Sequence, residues 1–68
     1  MSAPLISYNV YFQDALISIC STLRQVKKVK NIYESYGMVD LIIVKEERNG
    51  ALVTRSLVQL TELDKIKF

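Results

Sequence analysis

The sequence predicts a small α+β domain, a ferredoxin-like βαββαβ sandwich whose antiparallel sheet has the strand order 4-1-3-2 and carries two helices on one face. Three observations lead to this prediction. The chain has 68 residues, which fits one domain with a thin stability margin. Its apolar residues first alternate and then adopt a helical spacing. A later run, Leu41-Ile42-Ile43-Val44, is apolar on both faces of a strand. We therefore treat residues 1–68 as a single domain.

The first strand and the first helix are predicted from a change of period. Residues 5–12 alternate between apolar and mixed positions, which is typical of a strand with one covered face. Asp14 then fits a helix N-cap. Residues 15 to about 26 follow as a helix. Its apolar stripe consists of Leu16, Ile19, Cys20 and Leu23.

The second and third strands are predicted on either side of Gly37. Residues 29–36 are more polar, as suits an edge strand. Gly37 permits a tight turn. Residues 39 to 46 or 47 form the third strand, and its apolar run requires cover on both faces. The helices of this chain can cover one face, and too little chain remains for the other. We therefore expect a partner subunit on the open face of the sheet.

A second helix and a short final strand complete the predicted order. Residues 51 to about 63 carry a narrow apolar stripe, and residues 65–68 form a strand with Ile66 and Phe68 facing inward. No internal repeat is evident. With right-handed crossovers, the βαββαβ order places strands 1 and 3 at the centre of the sheet.

Composition excludes several kinds of site. Nine basic and seven acidic residues give a net charge of +2, which is too balanced to indicate nucleic-acid binding. Without histidine and with a single cysteine, the chain offers no common zinc site, so we expect no metal and no cofactor. We interpret Cys20 as a small buried hydrophobe. An unpaired cysteine without an export signal favours the cytoplasm, and no segment is predicted to span a membrane.

One pattern points to a known family. It consists of Val29, then Ile32-Tyr33-Glu34, then Gly37-x-x-Asp40-Leu41-Ile42. This pattern resembles the effector-binding domain, or RAM domain, of the Lrp/AsnC transcription regulators, in which a strand ending in Gly is followed by Asp and an aliphatic strand within a βαββαβ domain. The resemblance spans roughly residues 5–68. It implies a stand-alone RAM module without the family's helix-turn-helix domain.

The resemblance also implies a function. RAM domains dimerise through their sheets, assemble further into rings such as octamers, and bind amino acids near the turn between strands 2 and 3. The module would then be regulatory rather than enzymatic. It would have an amino-acid effector and full-length Lrp/AsnC regulators as partners, without direct contact with DNA or membrane. The implied ligand residues are Tyr36, Gly37, Met38, Val39 and Asp40.

The chemistry of that predicted site is reasonable, but Gly37 and Asp40 also have a purely structural interpretation. Backbone N–H groups beside Gly37 can receive a carboxylate, and Asp40 can bind an ammonium group. In the competing interpretation, Gly37 serves only the turn and Asp40 bonds to nearby backbone.

Two other functions remain open. A single-stranded nucleic-acid-binding, RRM-like domain would stack bases on Tyr8 and Tyr11, although the third strand lacks aromatic residues. A small dimeric α/β-barrel enzyme would have to rely on Asp, Glu, Tyr or Lys for proton transfer.

Overall fold

The computed structural model describes residues 4–66 and shows an α+β fold with the element order ββαββα. The elements are β1 (Leu5–Phe12), β2 (Ala15–Cys20), α1 (Leu23–Ser35), β3 (Ile42–Asn49), β4 (Leu52–Leu57) and α2 (Leu60–Asp64). The four strands form one antiparallel sheet in the order β2-β1-β3-β4. The α+β class and the central position of the first and third strands are thus confirmed.

The predicted βαββαβ order and the strand order 4-1-3-2 are not observed. Residues 15–20, predicted as helix, form β2, and most of the predicted second strand, residues 29–36, lies in α1. The predicted helix over residues 51–63 contains β4 and all of α2 except Asp64. In the predicted final strand, Lys65 caps α2 with helical backbone angles, and residues 67–68 lie outside the described residues.

A tight hairpin and a bulge explain why β2 was predicted as a helix. Gln13 and Asp14 have φ values of 49° and 66°, so they form a two-residue turn of the I′ kind, and Asp14 is not an N-cap. The register with β1 then shifts between Val10 and Tyr11, which leaves Ile17 as an extra residue. This β-bulge interrupts strict alternation. The apolar residues of β2 therefore have a spacing that imitates a helical stripe.

Side-chain capping starts α1 at Leu23. The Gln25 N–H donates to Thr22 Oγ1 at 3.2 Å, and the Ser21 N–H donates to Gln25 Oε1 at 2.8 Å. These two bonds satisfy backbone donors that precede or open the helix, in the manner of a capping box.

A Schellman motif ends α1. The Gly37 N–H donates to the Glu34 carbonyl and the Met38 N–H donates to the Tyr33 carbonyl, both at 3.0 Å. Gly37 has a φ of +84°, a left-handed conformation that favours glycine. Gly37 therefore ends a helix rather than joining two strands.

The hydrophobic core lies between one face of the sheet and the two helices. Val10 and Ile43 face each other on the central strands and are fully buried. Val26 of α1 and Leu63 of α2 pack in the same cluster, so both helices cover the same face. Cys20 belongs to this cluster and is buried, as the sequence predicted.

The fold contains an internal repeat that the sequence analysis missed. Each element of the second half begins 37 residues after its counterpart, from Leu5 to Ile42, from Ala15 to Leu52 and from Leu23 to Leu60. The start of each helix carries the pattern Leu-x-x-(Val or Leu)-x-Lys-(Val or Ile). The chain is therefore two ββα units related by a pseudo-two-fold axis between β1 and β3.

Candidate protein-interaction surface

The face of the sheet opposite the helices is uncovered by the described part of the chain, and we call it the open face. Residues opposite each other in antiparallel strands point to the same side, so the register defines its members. They are Leu5, Ser7, Asn9 and Tyr11 of β1, Leu16 and Ile19 of β2, Ile42, Val44, Glu46 and Arg48 of β3, and Val53, Arg55 and Leu57 of β4.

One end of the open face is apolar, and we call it the apolar end. It consists of two neighbouring cross-strand rows, namely Ile19, Val44 and Leu57 with Asn9 between them, and Leu16, Tyr11 and Ile42. Four of these side chains are strongly exposed, with fractions of 48% for Leu16, 64% for Ile19, 50% for Ile42 and 69% for Leu57. Contiguous exposed apolar patches are common at protein interaction sites.

The other end of the open face is charged. Glu46 accepts from Arg55 at 3.1 Å, between Nε and Oε2, and pairs with Arg48 at 3.6 Å, between Nη2 and Oε1. We call these three residues the charged end. Both arginines are exposed, so these ion pairs add little to the free energy of unfolding. Two guanidinium groups on one carboxylate leave the charged end with one net positive charge.

The prediction that this chain covers only one face of the third strand is confirmed for residues 4–66. Ile43 is buried against the helices, whereas its neighbour Ile42 is exposed on the open face. The contributions of Leu16, Ile19 and Leu57 were missed because β2 and β4 were predicted as helices. In β2, the period-2 signal that would have identified Leu16 and Ile19 is interrupted by the bulge.

The five predicted ligand residues lie together in the connection between α1 and β3. Tyr36 is the C-cap of α1, and Gly37 and Met38 complete the Schellman motif. Val39 and Asp40 are exposed, and Asp40 has a φ of 62°. The segment is thus a helix-to-strand loop and not a hairpin turn between two strands.

The geometry of this loop differs from that of a carboxylate site. The N–H groups of Gly37, Met38 and Val39 all donate to backbone carbonyls at 3.0–3.1 Å. In addition, the C-terminal end of a helix carries partial negative charge, which disfavours an anion there. A ligand role for these residues stays a prediction.

The two tyrosines of β1 also lie on different sides of the sheet. Tyr8 is opposite Cys20 and packs against the core, whereas Tyr11 is opposite Ile42 on the open face. A base-stacking platform of the RRM kind would need both rings on one face.

Neither helix within residues 4–66 combines the length and the apolar character that crossing a membrane would require. No family model, curated protein or solved structure matches this chain. The resemblance to the RAM domain therefore has no support from these comparisons, and the observed ββαββα order differs from the βαββαβ order on which it depended.

Proposed function

We propose that this chain is a self-associating module whose open face packs against the open face of a second copy. The observation that carries the proposal is the apolar end, where Leu16, Ile19, Ile42 and Leu57 are exposed together on one side of the sheet. Monomeric proteins seldom expose apolar side chains in such a contiguous group. A domain of this size also gains stability from a partner, because its own core buries little surface.

The size of the open face fits a small interface. Its four strands have six to eight residues each, so a spacing of about 4.8 Å between strands and about 3.3 Å per residue gives the sheet an outline on the order of 500 Å². An interface of standard size buries roughly 800 Å² on each partner. We therefore expect a dimer that dissociates at low concentration.

A second copy is a suitable occupant because the apolar end is complementary to itself. An isologous contact places the same patch of both copies together. If the two-fold axis runs across the strands at the apolar end, the charged ends of the two copies lie far apart. Arg48 and Arg55 then remain at the solvated rim, which is where charged side chains of interfaces are found.

Native mass measured by light scattering after gel filtration tests this proposal. Ile19→Lys places a charge in the centre of the contact, and we expect it to weaken association at least tenfold. Ile32→Lys is the matched control, because Ile32 is 54% exposed but lies on α1. A wild-type chain that stays monomeric at hundreds of micromolar, or two variants with the same association constant, would refute the proposal.

The amino-acid effector, the Lrp/AsnC partners and the cytoplasmic location are not part of this proposal. They stay predictions from the resemblance and from the single cysteine. A thermal-shift screen with a panel of amino acids tests the effector, since a ligand that binds the folded chain raises its melting temperature.

A further inference from the structure

We propose that the outer edge of β4 pairs antiparallel with β4 of a second copy, so that two four-stranded sheets join into one eight-stranded sheet. This edge is a different surface from the open face. The evidence consists of the exposure of β4, the direction of its backbone groups, the contrast with the other edge of the sheet, and the position of its single charge.

β4 has an unprotected outer edge. All six of its residues are exposed, and β3 is the only element among residues 4–66 that contacts it. Its register with β3 runs without a shift from Leu57 to Leu52. The strand reads LVTRSL, with one charge and no proline. It therefore lacks the usual devices that stop an edge strand from pairing with another chain.

The hairpin turn determines which backbone groups face outward. The two-residue connection at Gly50 makes Asn49 and Leu52 the first hydrogen-bonded pair of the hairpin. Directions alternate along the strand, so the N–H and C=O groups of Val53, Arg55 and Leu57 point away from β3. The backbone N–H and C=O groups of these three residues are therefore available for hydrogen bonds with another strand.

The opposite edge of the sheet is blunted. β2 carries the bulge at Ile17, and the Tyr33 hydroxyl of α1 lies 3.5 Å from the Ile17 carbonyl oxygen. Bulges at edges disturb the ladder and end pairing. With one open and one blunted edge per chain, edge pairing closes as a symmetric dimer and does not continue into a fibre.

The single charge of β4 determines which register between the two β4 strands is favoured. In a symmetric antiparallel pair, the two-fold axis is perpendicular to the sheet, and the residue at the axis pairs with the same residue of the second chain. The paired segment of β4 is longest when this residue is Thr54 or Arg55. An axis at Arg55 would bring two guanidinium groups opposite each other, which is unfavourable. We therefore assign the axis to Thr54, where Thr54 faces Thr54, Val53 faces Arg55 and Leu52 faces Ser56.

The edge contact does not depend on the face contact. Its two-fold axis is perpendicular to the sheet, whereas the axis of the face contact lies parallel to it. A chain can therefore make both contacts, one through its open face and one through the edge of β4. Each contact can be removed without the other.

Disulfide formation tests the register. Thr54 belongs to a pair that is not hydrogen-bonded across the new contact, so two copies of it would have Cα atoms about 4.5 Å apart, within the range of a disulfide. In a Cys20→Ala background, we expect Thr54→Cys to form a covalent dimer under mild oxidation. Ser56→Cys is the matched control on the same strand and face, and its two copies would be about 14 Å apart. Absence of the Thr54→Cys dimer, or equal linking of both variants, would overturn the assignment.

The native mass of variants that each remove one contact distinguishes the edge contact from the face contact. Thr54→Lys places like charges opposite each other at the axis, while Glu47 faces the same position on β3 and supports the fold. We expect Thr54→Lys and Ile19→Lys each to lower the native mass of the wild-type assembly, because each removes one of the two contacts, and Ala15→Lys on the edge strand β2 to leave that mass unchanged. Circular dichroism checks that each variant is folded. If Thr54→Lys leaves the mass unchanged while Ile19→Lys lowers it, the edge contact is wrong and the face contact stands; the reverse result refutes the face contact alone.

Discussion

Replacement of Gly37 by alanine isolates the energetic role of the residue that ends α1. Gly37 has a φ of +84°, and a Cβ built on it would meet no atom within 4 Å. Steric contact therefore contributes nothing, and the whole effect comes from holding an L-residue in the left-handed region. That conformation costs roughly 1–2 kcal/mol, so we expect Gly37→Ala to lower the free energy of unfolding by about 1 kcal/mol.

Urea denaturation followed by circular dichroism measures this change. For a domain of this size, 1 kcal/mol corresponds to a fall of about 4–8 °C in the melting temperature. Chain concentration must be equal for both proteins, because self-association also raises apparent stability. The slope of the transition should not change, since the substitution removes no packing.

A D-alanine at position 37, introduced by chemical synthesis, is the sharpest control. A D-residue prefers positive φ, so it should leave the free energy of unfolding unchanged or raise it. An L-alanine without effect, or equal losses for the two enantiomers, would refute the left-handed cap. D-alanine keeps the backbone conformation of position 37 and changes only the side chain. The control therefore also distinguishes an effect on the helix cap from an effect on ligand binding.

Substitutions at Thr22, Ile43 and Asp14, with two control variants, test the fold by chemical denaturation. Thr22→Ala removes the acceptor of the Gln25 N–H and should cost about 1 kcal/mol, whereas Thr22→Asp should retain most of the stability. Ile43→Ala opens a cavity in the core and should cost about 2–5 kcal/mol, while the exposed Ile42→Ala should cost less than about 1 kcal/mol in dilute monomer. Asp14→Gly should raise stability by up to about 1 kcal/mol, because position 14 has a φ of 66°; a loss would contradict the I′ turn.

The parts of the fold that could be predicted from the sequence are the strands whose apolar residues keep a regular spacing. β1 alternates without interruption, and β3 is apolar on both faces, so both were located and both are central. The exposure of Ile42 on the open face followed from the same pattern. The half of the open face that β1 and β3 contribute could therefore be predicted from the sequence.

The segments that were mispredicted have local signals that compete with their apolar pattern. In β2 the bulge changes the spacing, and in β4 the positions of Val53, Leu57 and Leu60 imitate a helical stripe although a turn at Gly50 indicates a hairpin. In α1, β-branched and aromatic residues suggested a strand. The cap sequence Thr22-Leu-Arg-Gln and the terminal Gly37 were the stronger evidence.

The internal repeat also has a consequence for the route by which the chain folds. Each ββα unit closes its own hairpin through a two-residue turn, and such hairpins form within microseconds. Among residues 4–66, the pairing of β1 with β3 is the only strand pairing that joins the two units. It must close a loop that contains β2 and α1, so it carries most of the contact order of the sheet and most of its loop-closure entropy. We therefore expect the slow step of folding to be the docking of the two ββα units, so that the chain folds much as two subunits associate.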